Sequence, residues 1–576
     1  VASETLPEVF LTACQKGCND VVETLLEQKV VHVNMQKNLV SPLFCACASG
    51  NLDIVCTLVK KGACLDLLQV HGFSPIFAAC SQGHLDIVSF LVSKDAALLQ
   101  VPTKFSVLPL QSACYFGHLE VVKFIAEKGS GGLEHRDSFQ KTPLHAACQN
   151  GKLEVVQFLV GKGVDIEALD HISQTPLFIA CESGQVDVVR YLVKKGANKE
   201  TATKKKQTPL FIACEMGYLD VVAYLIQEGA EVETESEDGA TPFHVACSKG
   251  HIEIVKLLAS HGVDMEHEDN NKRTPYDAAF LKKTHEVVTF LVTKNVQLDR
   301  ASETGQTALH SACVDGNLEM VKLLVQNGAE LEVTNENGRT PFHEACCLDS
   351  WETYEVLEVL RFLVRTKVNV NTRDKHEWTP LMSASKNGSM EIVQLLVDEG
   401  KAEINQADHK GLTAFHLSCK LFGGLKIAQF LKERGANIHT KSSGGLTPLH
   451  ESCYQHHQST ERDLGLLKFL VESGMDKEAR TETGNTALWI ACSTGFLSAV
   501  SFLISCKVNL DVPNKDGETP FWIACKNGHL KVVKLLAVEK EVDINVTVNG
   551  STPLQAAVSN HSWPYDTERV VEFLKK

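Results

Sequence analysis

The sequence has no run of about 18 uncharged apolar residues, so no segment reads as a membrane-spanning helix. Its first residues, Val1-Ala-Ser-Glu-Thr, lack the basic start and apolar stretch of a secretion signal. An intracellular protein is expected, cytoplasmic with the nucleus left open. Basic charge is in deficit: 56 Lys and Arg stand against 71 Asp and Glu, a net −15. That balance argues against a nucleic-acid partner, because phosphate binding needs clustered cations. Glycine (38) and proline (17) make up about a tenth of the 576 residues, too little for collagen-like or low-complexity material. No phosphate-cradling Gly-x-x-x-x-Gly-Lys, no His-Glu-x-x-His and no Gly-x-Ser-x-Gly occurs, so an enzyme is not expected and no cofactor is implied.

What is present is one phrase repeated. Thr142-Pro-Leu-His-Ala-Ala-Cys148 returns as Thr241-Pro-Phe-His-Val-Ala-Cys247, and its leading position falls at Ser41, Ser74, Leu108, Thr142, Thr175, Thr208, Thr241, Thr274, Thr307, Thr340, Thr379, Thr413, Thr447, Thr486, Thr519 and Thr552. Steps are 33 or 34 residues except two of 39, and a worn copy around Glu8 to Cys14 makes seventeen. Copies begin near residues 6, 39, 72, 106, 140, 173, 206, 239, 272, 305, 338, 377, 411, 445, 484, 517 and 550. In one copy, Thr142 followed by Pro143 reads as a capped helix start, and Gly151 as its left-handed stop. Leu153, Val156 and Val160, with Val155 and Leu159 beside them, form the broad apolar face of a second helix that Gly163 ends. Polar turns such as Asp238-Gly239 and Asn337-Gly338 then join one copy to the next.

Together with Gly83-His-Leu-Asp-Ile-Val88, Gly117-His-Leu-Glu-Val-Val122 and Gly250-His-Ile-Glu-Ile-Val255, these phrases resemble the ankyrin repeat family over nearly every residue. The resemblance implies an all-α solenoid of helix pairs with short β-hairpin fingers, a single array over residues 1–576 curved into a superhelix. It also implies a concave surface that binds another protein. Each copy would bury its apolar faces only against its neighbours, so stability belongs to the array and not to the unit.

Fourteen of the twenty cysteines share one register, from Cys14 and Cys47 to Cys492 and Cys525. Neighbours in that column would stand about 10 Å apart, too far for a disulfide, which needs Cα atoms within about 7 Å. They are expected to be small core residues and reduced thiols. His and Cys also recur three apart, as in His145/Cys148, His310/Cys313 and His450/Cys453. A structural metal site needs four converging ligands, so these pairs carry little weight as ligands. In the family the same histidine ties the helix start to the finger.

In a solenoid the shared positions hold the fold, so function is sought where copies differ. Apolar residues occupy finger-tip positions in Phe105, Phe139 and Ile172, and Tyr115 and Phe116 end a first helix where polar residues are usual. Met216 extends this set. Such a cluster reads as the aromatic anchor of a protein interface. Eight residues before successive Thr positions stand Glu134, Glu167, Glu200, Glu233, Glu266, Asp299 and Glu332, either finger caps or an acidic ridge. Residues 227–269 hold eleven carboxylates against two lysines, −9 of the total charge, with Glu233, Glu235, Glu237, Asp238 and Glu266 as candidate contacts for a basic or amphipathic partner segment. The preceding finger carries a basic patch, Lys204, Lys205 and Lys206. Aromatics replace the family histidine in pairs, Phe44 and Phe77, Phe178 and Phe211, Trp489 and Trp522, and are expected to stack as local core.

Four irregularities are expected to interrupt the array. The copy Thr274-Pro-Tyr-Asp-Ala-Ala-Phe280 has Lys283 where the helix-ending Gly belongs, and extra residues fall near Leu348 to Tyr354, Gln455 to Asp463 and His561 to Asp566. Extra length should lengthen a helix or form a surface loop. The sequence begins without Met and ends at Lys576 without a further finger, which reads as a part of something longer. The leading expectation is a monomeric, non-enzymatic interaction scaffold contacting its partner through residues 103 to 270. The alternatives are the regulatory or targeting array of a larger enzyme, channel or ubiquitin-pathway protein, and a cytoskeletal or membrane-skeleton linker.

Overall fold

The computed structural model describes residues 2–128, 132–294, 296–347, 353–421, 423–454, 464–538, 542–559 and 564–575. They form two compact units, Val1–Val296 and Gln297–Lys576, each made of successive helix pairs. The copy from Thr142 shows why. The Thr142 hydroxyl caps the helix Pro143–Gln149, Pro143 fills the first turn, and Leu144, Ala147 and Cys148 point inward. The second helix, Leu153–Gly161, buries Val155, Val156 and Leu159. Within each unit, first helices pack on the first helices of the adjoining copies, and second helices on second helices. The fourteen cysteines of the shared register are all buried, and among the twenty only Cys18 and Cys64 are exposed. Burial pushes the Cys14 thiol up to about 12, so the column is protonated and apolar in character.

Gly-His at the second-helix start has a packing cause. A Cβ on Gly83 would fall 2.4 Å from Nδ1 of His118 in the following copy. With glycine there, the His118 ring lies against the preceding turn and its Nε2 reaches the Ser81 carbonyl at 2.9 Å. His251 repeats the arrangement against Gly217, reaching the Glu215 carbonyl at 3.1 Å.

Fingers are turns rather than paired strands: among the described residues only isolated bridges form, Lys37 with Val40, Ala407 with Thr413 and Val548 with Ser551. A buried acceptor at the base of several fingers does the work of a ladder. Asp170 Oδ1 accepts the backbone N–H of Ile172 at 3.0 Å and of Gln174 at 2.8 Å. Tips are then joined along the unit by single backbone bonds, Ser138 N–H to Phe105 O at 2.9 Å and His171 N–H to Phe139 O at 3.0 Å.

The irregular copies are accommodated locally. Lys283 takes the left-handed conformation (φ 56°) that glycine supplies elsewhere, and helices Pro275–Leu281 and His285–Val292 form around it. An extra residue after Gly400 is absorbed by a π-helical turn, Leu395–Glu399. The 39-residue step from Thr340 is partly taken up by a second helix, Thr353–Arg365, of 13 residues in place of nine. Residues 348–352, 455–463 and 561–563 of the three extended copies lie outside the described residues.

Candidate protein-binding surface

One register of the first helices differs between copies in side-chain size. Four residues beyond the cap stand Ala78, Ser112 and Ala146 in consecutive copies, then Ile179 and Ile212. The small side chains leave a groove of about 590 Å³ in the first unit. Phe77, Tyr115 and Phe116 line it together with Phe44 and Phe73. Phe73 and Phe77 lie 5.0 Å apart between ring centroids, and Tyr115 and Phe116 meet edge to face at 5.1 Å.

Tyr115 and Phe116 are therefore brought together in the groove, 40% and 49% exposed. Phe105, Phe139 and Ile172 form a separate strip along the finger tips, where the Phe105 and Phe139 rings stack at 6.4 Å and Phe139 meets His171 at 5.5 Å. Met216 is exposed at the end of helix Pro209–Met216, in the register of Phe116 three copies earlier. Reading Phe44 and Phe77 as core missed the groove: both are half-buried and line it. Phe178 and Phe211 are core, and the residues after them, Ile179 and Ile212, are buried as well.

Polar groups on the groove wall are few and mostly engaged. Gln111 replaces the missing cap of Leu108, its Oε1 accepting the Leu108 N–H at 3.0 Å and its Nε2 donating to Lys141 O at 2.8 Å. Asp137 Oδ1 accepts from Phe139 N and Lys141 N. The Ser112 hydroxyl is buried in the wall and has no hydrogen-bond partner among the described residues. The arrangement suits apolar side chains, with Gln82, Lys141 and Gln149 also on the wall.

Most of the acidic column has a structural duty. Glu134, Glu167, Glu200 and Glu233 accept the backbone N–H of Asp165, Asn198, Glu231 and Asp264 in the next copy at 2.7, 2.7, 3.1 and 2.7 Å. Asp299 and Glu332 do the same for Glu330 and Asn369 in the second unit. Asn405 serves Asn437 in the same way, so carboxylate and carboxamide are interchangeable acceptors there. Glu235, Glu237 and Asp238 lie on an exposed finger outside the column, and Glu235 faces His267 at 3.4 Å. Glu266 is half-buried. Lys204, Lys205 and Lys206 are exposed on the neighbouring finger, with Lys204 Nζ donating to His171 O at 2.6 Å.

The histidines that precede the buried cysteines are spacers between copies. His145 Nδ1 accepts the Thr142 N–H at 3.1 Å, and Nε2 faces Gln174 O at 3.1 Å. Burial lowers the His145 imidazolium to about 4, so the ring is neutral at pH 7.

A family model described as "Ankyrin repeats (3 copies)" matches residues 10–101, 98–170, 163–236, 228–302, 278–360, 351–442, 434–513 and 495–575. Similar proteins include the putative ankyrin repeat protein FPV031 of Fowlpox virus, 32% identical over 148 residues, 25% of this chain and 42% of that protein. The human ankyrin repeat and SOCS box protein 3 is 28% identical over 173 residues, 25% of this chain and 33% of its own length. The probable 26S proteasome regulatory subunit p28 of Saccharomyces cerevisiae is 33% identical over 153 residues, 25% of this chain and 62% of its own. The chain thus spans less than two thirds of each of these relatives. Repeated Thr-Pro helix pairs, buried Cys and His registers, and family matches from residue 10 to residue 575 place the chain in the ankyrin repeat family.

Proposed function

We propose that the chain is a non-enzymatic protein-interaction array whose first unit captures a partner segment in the groove at Tyr115 and Phe116. The observation that carries this reading is the exposure of two adjoining aromatic rings over a hollow floored by small residues. Exposed aromatics in a concave site are where interface energy concentrates. The segment that suits the site is amphipathic: apolar side chains enter the groove while basic flanks face Glu235, Glu237 and Asp238. On this reading the protein works as a monomer in a reducing compartment, where its free thiols stay reduced.

Selection of a displayed peptide library on the folded chain tests the reading. Enriched peptides carry aromatic or aliphatic residues beside Lys or Arg, and Tyr115→Ser with Phe116→Ser removes their binding without moving the unfolding midpoint. Peptides that bind the double variant as they bind the parent would overturn it. A second reading, that the array targets or regulates a larger assembly, is favoured by the names of two relatives, a SOCS box protein and a proteasome regulatory subunit. Affinity purification of the full-length protein followed by identification of stoichiometric subunits distinguishes the two.

A further inference from the structure

The second unit holds a concavity of different chemistry, about 690 Å³, with Arg339, Lys386, Lys410 and Lys420 around Trp378. Two carboxylates also line it, but both are buried and committed to the fingers. Asp374 Oδ1 accepts from His376 N at 2.8 Å and Trp378 N at 2.9 Å, and its Oδ2 takes Arg339 Nε at 3.2 Å. Asp408 Oδ1 accepts from Lys410 N at 2.9 Å and Leu412 N at 2.8 Å, and its Oδ2 takes the Trp378 indole N–H at 3.0 Å. Asp408 thereby fixes the indole plane, and Lys386 Nζ lies over that ring at 4.9 Å.

The cations are less compensated than the acids. Arg339 shares its charge with Asp374 and Glu344, and Lys420 stands 3.8 Å from the buried Glu451. Lys386 and Lys410 are exposed and have no ion-pair partner among the described residues. Leu417 and Leu421 supply an apolar side to the same hollow. In a chain of net charge −15, this is a local reversal of sign next to a held aromatic ring.

We infer that the concavity around Trp378 binds an acidic peptide segment that carries an apolar side chain. Its carboxylates pair with Lys386 and Lys410, and its apolar side chain lies between the indole and the leucines. Charge complementarity sets the class of ligand, and the leucines favour peptide over nucleic acid, whose backbone makes no use of an apolar wall. The inference is independent of the Tyr115 groove, which lies in the other unit and suits a segment of opposite charge.

The test uses the full chain and fluorescence anisotropy of a labelled peptide of about twelve residues built from Asp, Glu and Leu. Comparators are a peptide with Lys in place of the acids and a single-stranded oligothymidylate of similar length. The acidic peptide is expected to bind at least about tenfold tighter than either comparator and to weaken as salt is raised. Lys386→Glu with Lys410→Glu is expected to cost about tenfold or more, while Lys204→Glu with Lys205→Glu changes nothing. Both pairs are exposed, so unfolding midpoints stay in place. Equal affinity for the Lys386→Glu/Lys410→Glu variant, or tighter binding of the oligonucleotide, overturns the inference. So does sedimentation that shows parent chains associating through these lysines, which would make the acidic run of a second copy the occupant.

Discussion

His145 Nε2 and the backbone oxygen of Gln174 lie 3.1 Å apart, so a side chain of one repeat holds the finger of the next. The Thr142 N–H at Nδ1 fixes the tautomer that leaves the proton on Nε2. The same Thr–His–carbonyl bridge recurs at His310 with Arg339 and at His450 with Asn485. Gln111 makes an equivalent bridge with its carboxamide, which shows that geometry rather than an imidazole is required.

From these histidines comes a pH prediction. Burial lowers His145, His416 and His450 to about 4 from 6.5, so the unfolded chain binds more protons between those values. Their contribution is complete above pH 6.5 and is lost as pH falls toward 4, at most about 3 kcal/mol for each ring. Urea unfolding measured from pH 7 to pH 4 is expected to show falling stability, and His145→Gln to remove one ring's share of the slope. A slope identical in parent and variant contradicts this account.

Glu167 and Glu235 separate the structural and electrostatic roles of the acidic residues. Glu167 holds the Asn198 N–H at 2.7 Å, so Glu167→Ala is expected to cost about 1 kcal/mol, and Glu167→Gln much less. Charge reversal at Glu235 and Glu237 leaves the capping bonds intact. It is expected to slow association with a basic peptide and flatten the salt dependence of the on-rate, with little change in denaturation midpoint.

Thiol reactivity reads the cysteine register directly. With the native chain, mass-resolved alkylation is expected to modify the exposed Cys18 first, Cys64 more slowly because its thiol donates to Asp66 Oδ1 at 2.9 Å, the half-buried Cys45, Cys56, Cys347 and Cys506 later, and the buried column only on unfolding. Early modification of Cys148 or Cys181 would show the column to be accessible.

The two compact units are expected to unfold separately, since repeats are stabilised mainly by nearest neighbours. Hydrogen exchange in rising denaturant should give residues 42–292 and 308–538 different midpoints. Coincident loss of protection in both would mean one cooperative block.

Much of the fold was legible because the repeat states its own rules. Thr142-Pro143 marks a helix start and Gly217 a stop, and the cysteine register predicts burial without any pairing. The exposure of Tyr115 and Phe116 was also legible, as apolar residues at positions that are polar elsewhere. The groove around them was not, because it is a property of what is small nearby, Ala78, Ser112 and Ala146. Phe44 and Phe178 occupy the same register, yet one is half-buried and the other core. Between the two readings open for the acidic column, finger caps or an acidic ridge, the bond from the Asp264 N–H to Glu233, 31 residues apart, supports capping.

The central claim is that Phe77, Tyr115 and Phe116 form the partner-binding groove of the first unit. Hydrogen exchange of the full chain with and without a library-selected amphipathic peptide tests it most directly. Added protection is expected in Pro75–Gln82 and Pro109–Phe116, and absent in the Tyr115→Ser/Phe116→Ser variant. Protection confined to the second helices Leu85–Lys94 and Leu119–Glu127, with those first helices unchanged, would contradict it.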